Sequence, residues 1–504
     1  MTRLSVVLKA IPMIALAAGP EQVAHADDDI FEMSELTTEG RVVTTSFADF
    51  NGDQRQDLMV VTFAGVPPED SRIIWVHLRD RDGSLPAAAS HSLELPGLST
   101  VYDVADLKDT PGEELLLLRP DGVTIISIAN RSGPQWHLPV DGATTVGAGD
   151  DERGFDSFRM VYRDFDEEPW ILVPQIGMVT AISSDGTPKA QMDVGRRANF
   201  YVAKPSGPFS VESDIQLFLD VPKLTVGDVD GDGRVDIVAT TRHEIRVFLR
   251  ADDGSYSRKP DRLLPIGLIN ERDHTRGSGS LVTTLRDIDA DGRLDLMITH
   301  VEGALSKSIT TTTIYRNHTD GWNLNDPDQR FVTEGALVSD RLVDIDDDKK
   351  FELLRIQLKL SVLEIVELLL TKSIDTQIMV HRLQADGHFD DKPWAKRKIS
   401  TGISFDTFRP KGFIPPIGLD VNSDGIMDFI TSANGKGIEV HLGTAEEPFA
   451  RRAAIQKLDS TGTINFSDFD DDGLLDFVLW DSQQFDVPLQ IGRNLGALPD
   501  ASIP

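Results

Sequence analysis

Cysteine is absent from all 504 residues, which excludes disulfides, a lipobox and a thioether-linked lipid anchor. Rigidity must therefore come from packing and from metal. Long apolar runs are also missing. The best stretch, 351–370, is broken by Glu352, Arg355, Lys359, Glu364 and Glu367, so no transmembrane segment is expected. Positive charge is scarce, with 50 Lys and Arg against 82 Asp and Glu and a formal net charge of -32. Such a surface repels nucleic acid and anionic membranes. The excess carboxylates are either ligands awaiting metal or a face for cationic partners. Motifs of common catalysis are lacking too: the 11 His have no metal-ligand spacing, and no G-x-S-x-G, H-E-x-x-H or phosphate-cradling loop occurs.

The rest of the composition, 40% hydrophobic and 26% charged, is that of a globular chain with ample material for a large core. At the N-terminus, Arg3 and Lys9 flank a short apolar stretch at 10–18, followed by the small-x-small site Ala24-His25-Ala26. This reads as a cleavable secretory leader over 1–26. The expected destination is secreted, periplasmic or cell-surface, with a mature chain over 27–504.

The chain is organised around Asp228-Val229-Asp230-Gly231-Asp232-Gly233-Arg234-Val235-Asp236, the pattern D-x-D-x-D-G-x-x-D. Carboxylates at positions 1, 3, 5 and 9 of a loop bent sharply at position 6 converge on one point, and hard oxygen donors so placed suit Ca²⁺. An EF-hand opens the same way but needs a Glu at position 12 and a helix on each side. Here position 12 is Ala239, within the β-branched run Ile237-Val238-Ala239-Thr240-Thr241. The loop joins two strands.

The same loop recurs eight times, its first residue falling at Asp49, Asp106, Asp164, Asp228, Asp287, Asp344, Asp420 and Asp468. Intervals of 48 to 76 residues between these positions suit one four-stranded propeller blade per copy. Four sets are complete: Asp228/Asp230/Asp232/Asp236, Asp287/Asp289/Asp291/Asp295, Asp420/Asn422/Asp424/Asp428 and Asp468/Asp470/Asp472/Asp476. Two more lack only the Gly, with Gln54 in Asp49/Asn51/Asp53/Asp57 and Lys349 in Asp344/Asp346/Asp348/Glu352. These six give an expectation of about five to six Ca²⁺ sites, the last two weaker. In Asp164/Asp166/Glu168 the ninth position is Leu172, and the second copy carries Lys108 and Thr110 at positions 3 and 5. That second loop is expected to be empty, with Lys108 standing in for the cation.

After each loop come an apolar second strand (such as 58–62, 296–299 or 477–480), a third strand (such as 73–78 or 438–442) and a turn, often Asp-Gly followed by an aromatic, as in Asp253-Gly254-Ser255-Tyr256. The fourth strand is more polar. This order of strand, calcium loop, strand, strand, turn, strand resembles the VCBS and FG-GAP repeats of the integrin alpha-subunit type of β-propeller. The resemblance covers roughly 30–495. It implies an all-β ring of four-stranded blades with Ca²⁺ in the hairpin between the first and second strands. Integrin propellers have seven blades, and seven stands as the alternative to the eight loops counted here. Similar loops occur in eight-bladed propellers of secreted rhamnogalacturonan lyases.

The last unit runs out after a third strand at 487–492, so segment 30–36 is expected to supply its outer strand and close the ring. Two insertions break the rhythm: a stretch near 361–372 with helical periodicity, and 195–222, which reads as a long surface loop. Each is a cap or a docking ridge. His77, His381 and His441 share one third-strand position and are assigned to packing between blades. The functional expectation is an exported, calcium-stabilised scaffold that binds or adheres to a protein or glycan. The alternatives are a calcium-dependent, polysaccharide lyase-like enzyme and a structural envelope component.

Overall fold

The computed structural model describes residues 29–498 apart from 66–70, 147–154, 166–167, 203–214, 271–279, 304–306, 319–320, 360–363, 365–367, 369 and 405–408. The leader expected over 1–26 lies outside the described residues. Strand follows strand along the chain, and the strands sort into eight antiparallel blades arranged as a propeller. Blade 4 is representative, with Lys223–Gly227, Asp236–Thr240, Glu244–Phe248 and Arg262–Pro265 paired in that order. Second strands are buried from end to end, as in Asp236–Thr240 and Asp476–Trp480, because a neighbouring blade covers each face. That is why they read as unbroken apolar runs rather than as alternations. Fourth strands, such as Arg262–Pro265, alternate between half-buried and exposed residues.

Packing closes the ring. Eight apolar clusters lie one at each boundary between blades: Met59 and Ile74 of blade 1 meet Leu115 and Leu117 of blade 2, and so on round to Val478 and Trp480 of blade 8 against Leu58 and Val60 of blade 1. An open arc of eight blades would have only seven such boundaries.

Blade 8 is composite. Its strands Thr463–Ser467, Asp476–Trp480 and Leu489–Asn494 are completed by the N-terminal strand Phe31–Leu36, antiparallel in the register Phe31↔Asn494 to Leu36↔Leu489. Ile30, Phe31 and Leu36 are each 1% exposed, and the Ile30 and Phe31 N–H groups donate to the Gln456 amide oxygen in blade 7 at 2.9 and 3.2 Å. The strand is thus fixed to two blades at once.

Blade 7 departs from the repeat. Its paired strands are Phe429–Thr431, Gly437–His441 and Ala454–Lys457, while its first strand is reduced to a bridge between Leu419 and Asp428. Pro410, Pro415 and Pro416 precede that bridge, and proline has no N–H to give to a ladder.

The insertion at 195–222 is not a plain loop. It forms a two-stranded hairpin, Arg197–Val202 against Ile215–Asp220. Most of the insertion near 361–372 lies outside the described residues. Within it, Glu364, Leu368, Leu370 and Thr371 have helical backbone, and the Lys372 N–H donates to the Leu368 carbonyl at 2.9 Å. Among the described residues, no helix is long and apolar enough to cross a membrane.

Candidate metal centres

Each loop is shaped first by its own carboxylates. In blade 4 the Asp228 carboxylate accepts the N–H groups of Gly231 at 2.6 Å and Gly233 at 2.8 Å, and Asp232 accepts that of Arg234 at 2.8 Å. The bond from the sixth N–H to the first carboxylate recurs in the loops of blades 1, 5, 6, 7 and 8, where Asp49, Asp287, Asp344, Asp420 and Asp468 accept it. It requires a left-handed sixth residue. Gly233, Gly292, Gly425 and Gly473 supply this freely, with φ of 81°, 89°, 83° and 89°. Gln54 and Lys349 adopt the same turn at 66° and 68°, so these two loops keep the shape at the strain that a side chain carries there.

The ninth residue is a latch. Asp236 is fully buried and accepts the Val229 N–H at 2.8 Å through one oxygen and the Arg250 N–H at 2.9 Å through the other. It thereby ties the loop to the end of the third strand. Asp57, Asp295, Asp428 and Asp476 make the same pair of bonds, and Glu352 makes the first of them. Burial, the largest influence, raises these carboxyls: Asp57 and Asp236 to about 6, and Glu352, Asp428 and Asp476 to about 7. Neighbouring loop carboxylates push most of them the same way.

Four loops gather three carboxylates whose oxygens lie within 4.8 Å of one another. In blades 4 and 8 these are positions 1, 3 and 9 (Asp228, Asp230, Asp236; Asp468, Asp470, Asp476), and in blades 5 and 6 positions 1, 3 and 5 (Asp287, Asp289, Asp291; Asp344, Asp346, Asp348). Buried oxygens without a hydrogen-bond partner mark the loops of blades 5, 7 and 8: Asp289 Oδ1, Asn422 Oδ1, Asp468 Oδ1 and Asp470 Oδ1. A buried acceptor left unpaired is costly. The four clusters can hold a metal ion.

In blades 4, 5, 6 and 8 part of the expected set of four converges. Asp232, Asp424 and Asp472, the fifth-position carboxylates of blades 4, 7 and 8, stand outside any converging set. Each gives one oxygen to the N–H two residues on, that of Arg234, Ile426 or Leu474, at 2.8, 2.9 and 2.9 Å. The other oxygen of Asp232 pairs with the Arg234 guanidinium, and that of Asp424 accepts the Asn422 amide at 3.0 Å. In blade 8 it is the latch, Asp476, that converges with Asp468 and Asp470 in place of Asp472. Blades 5 and 6 show the reverse, with Asp291 and Asp348 in the set and the latches Asp295 and Glu352 out of it.

The loops of blades 1 and 7 bring no three carboxylates together among the described residues. Both carry an amide at position 3, Asn51 or Asn422, beside Asp49 and Asp57 or Asp420 and Asp428. In blade 1 the Asn51 amide oxygen accepts the Asp53 N–H at 2.9 Å, and the Asp53 side chain pairs with Arg55 at 2.5 Å. An amide replaces one charge at the centre, and the fifth carboxylate is held by a neighbour.

The second loop departs from expectation in an instructive way. Lys108 does not stand where a cation would. Its ammonium donates to the Ser184 carbonyl and lies 5.3 Å from the Trp136 ring centre. The latch survives nonetheless: Glu114, at position 9 and fully buried, accepts the N–H of Leu107 at 2.9 Å and the hydroxyl of Thr110. In the third loop Asp164 pairs with Arg159 and Glu168 with Lys189, while Asp166 lies outside the described residues.

A resident cation appears instead in blade 5, where the loop sequence is complete. The Arg316 guanidinium, 7% exposed, reaches Asp295 Oδ2 at 2.7 Å and Asp289 Oδ2 at 3.4 Å. Its other nitrogens donate to the Gly387 carbonyl of blade 6 at 3.2 and 2.6 Å. Loop spacing gave no sign of it, because Arg316 arrives from the end of the third strand.

Neighbouring loops are linked along the rim. The Glu113, Leu294, Phe351 and Met427 N–H groups donate to Asp49, Asp228, Ile288 and Ile345 carbonyls in the preceding blade, and Asn494 Nδ2 donates to the Val421 carbonyl at 3.0 Å. Residues 228–298, which carry the fourth and fifth loops, match the FG-GAP-like repeat family. The protein is a β-propeller with an FG-GAP-like repeat. No curated protein matches it. Solved structures similar to this FG-GAP propeller include an Agrocybe aegerita lectin whose structure concerns recognition of non-reducing terminal N-acetylglucosamine (12% identity, 91% of this chain and 87% of that one, TM-score 0.37). Others are the Dos1 propeller (9%, 92% and 95%, 0.36) and the V. cholerae biofilm matrix protein Bap1 (10%, 93% and 84%, 0.22). Likenesses at these scores carry no argument about ligand or activity.

The three third-strand histidines of the FG-GAP propeller are buried and bonded alike. His77, His381 and His441 Nδ1 donate to the carbonyls of Pro86, Asp390 and Ala450, nine residues on in each case, at 3.0, 2.7 and 3.1 Å. Each pins the third strand to the start of the fourth.

Proposed function

We propose that this propeller is an exported, calcium-stabilised scaffold that binds a protein or glycan ligand. The observation that carries the reading is the set of converging loop carboxylates with buried, unpartnered oxygens. All-oxygen donors, several of them charged, are the chemistry of Ca²⁺. The ligands are Asp228, Asp230 and Asp236 in blade 4, Asp287, Asp289 and Asp291 in blade 5, Asp344, Asp346 and Asp348 in blade 6, and Asp468, Asp470 and Asp476 in blade 8. The ion draws in Asp232 and Asp472 from the N–H bonds that hold them. Asp49, Asn51, Asp53 and Asp57 in blade 1 and Asp420, Asn422, Asp424 and Asp428 in blade 7 close round it in the same way, which makes six sites in all. Bound calcium neutralises the crowded carboxylates and locks the rim from which the loops project.

An exported chain without cysteine gains from metal the rigidity that others draw from disulfides. Melting the protein in calcium and in EGTA, with metal content measured on the same sample, tests the reading. At about 1 mM Ca²⁺ and a Kd of about 10⁻⁴ M, each independent site adds about 1.4 kcal/mol. Melting indifferent to EGTA, in a protein that carries no calcium, ends the proposal.

A further inference from the structure

The metal loops join first strands to second strands, so they share one rim of the ring. Turns between second and third strands, and the links from one blade to the next, lie at the opposite ends of the strands. Both insertions fall on that opposite rim: the hairpin follows the fourth strand of blade 3, and 360–372 separates the second and third strands of blade 6.

A polar cleft of about 260 Å³ opens there between blades 6 and 7. One wall is the outer strand Ala395–Ser404, with Arg397, Lys398 and Thr401. The other is blade 7, with Thr431, Glu439 and the turn through Asn434, and Phe413 adds an aromatic face. Arg397 Nη2 donates to His441 Nε2 at 2.7 Å, while His441 Nδ1 donates to the Ala450 carbonyl. The imidazole thus lies between the guanidinium and that carbonyl and fixes the guanidinium in place. Glu439 accepts the Thr431 hydroxyl at 2.8 Å. The turn is unusual: Ala433, Asn434 and Gly435 have φ of 45°, 57° and 79°, three left-handed residues in succession, a conformation that side chains avoid and that collects at binding sites. Asn434 is held in it by accepting the Gly402 N–H at 2.8 Å.

Charge sets this place apart. In a chain of net charge -32, Lys396, Lys398, Arg409, Lys411 and Lys436 are all exposed along this edge. One of them, Lys398, pairs with Asp375 at 2.5 Å, and Lys411 is tied beside Thr401 by the bond from its N–H to the Gly402 carbonyl. A cationic rim on an acidic protein concentrates anions locally.

We infer that this cleft binds a carboxylate-bearing sugar, a uronate unit of an acidic polysaccharide. The lysines hold the carboxylate. Glu439 and Arg397 supply the acceptor and donor that adjacent hydroxyls require, and the volume takes about one hexose unit. An acidic peptide satisfies the lysines but has no diol for Glu439. The inference rests on the scaffold reading and names the ligand and its place.

Calorimetry on the calcium-loaded full chain tests it with three probes: a uronic-acid tetrasaccharide, the same sugar with its carboxyls reduced to alcohols, and tetraglutamate. The uronate is expected to bind and the peptide not to bind. The reduced sugar should bind about ten-fold more weakly, the equivalent of one charge-assisted contact. Glu439→Gln, and Lys398→Gln combined with Lys411→Gln, should each weaken the uronate by about ten-fold without lowering the melting temperature. Asp106→Ala, on the far rim, should leave its affinity unchanged. Absence of uronate binding, equal binding of the reduced sugar or of the peptide, or parental affinity in the cleft variants overturns the inference. Its failure is distinguishable from failure of the scaffold reading, because the latter appears as loss of calcium dependence in melts of the same samples.

Discussion

Blades 4 and 5 carry the same D-x-D-x-D-G-x-x-D loop yet have different centres. In blade 4 the ninth carboxylate, Asp236, converges with Asp228 and Asp230; in blade 5 the converging set is Asp287, Asp289 and Asp291. The two loops also differ in their arginines. Arg316 holds Asp295 and leans on Asp289 in blade 5, whereas Arg234 holds the fifth carboxylate, Asp232, in blade 4. One loop pattern thus supports more than one converging set. Blade 2 completes the contrast, because it has lost positions 3 and 5 and kept the latch through Glu114. Holding the loop in shape and holding metal are therefore separable tasks.

Separation of the two tasks can be broken most forcefully at the latch. Asp236→Ala strands two buried N–H donors, and it should destabilise by about 3 kcal/mol in EGTA, with the lost ion adding about 1.4 kcal/mol in about 1 mM calcium. Glu114→Ala in the metal-poor blade 2 should behave alike in EGTA. Urea melts with and without EGTA measure both, and a loss seen only in calcium would unite the tasks again. Asp232→Ala is the opposite case: it should cost about 1.4 kcal/mol in about 1 mM calcium, with one ion lost, and little in EGTA. Asp106→Ala should change neither stability nor metal content.

Removing Arg316 sharpens the comparison of blades 4 and 5. Arg316→Gln frees Asp295 and deletes a positive charge beside the ligands, so one calcium site should tighten by about ten-fold in a competition titration. Unchanged binding would show that the guanidinium does not compete with metal. The smallest expected effect is at the left-handed sixth position. Gln54→Gly and Lys349→Gly relieve φ of 66° and 68° and should each stabilise by about 1 kcal/mol. A destabilised melt would mean that these side chains hold the loop by contacts worth more than the strain.

The blade count and the strand order were legible because a nine-residue signature repeats in register with an apolar second strand, and both survive divergence elsewhere. The shape of the Gln54 and Lys349 loops was less so, since the first carboxylate imposes the turn even where glycine is missing. Spacing placed Asp424 and Asp472 among the ligands, but it could not show the local bonds that each makes to the N–H two residues on. Arg316 left no local trace, arriving 21 residues after Asp295 by sequence and from the far end of two strands. The latch of blade 2 was hidden by Glu114 standing for Asp among positions that no longer match. In 195–222, Pro205 and Pro208 suggested a loop, whereas the strands of the hairpin lie on either side of them. The blade 6/7 cleft was beyond reading, because it is made where the first strand of blade 7 fails to pair.

The strand Phe31–Leu36 also sets the order in which the molecule can be finished. Its partner, Leu489–Asn494, is synthesised after all the other strands of the ring, so the contact that closes the ring spans every other blade. Every other blade can zip from neighbouring hairpins, with short loops to close and little entropy to overcome. Closure comes late and slowly, and until then an inner blade and an unfinished one expose the apolar faces that will meet as Leu58 and Val478. The same adjacency means that the first and last strands of the ring lie on one blade, so a short linker between them would let the ring begin at a different blade and still trace the same circle.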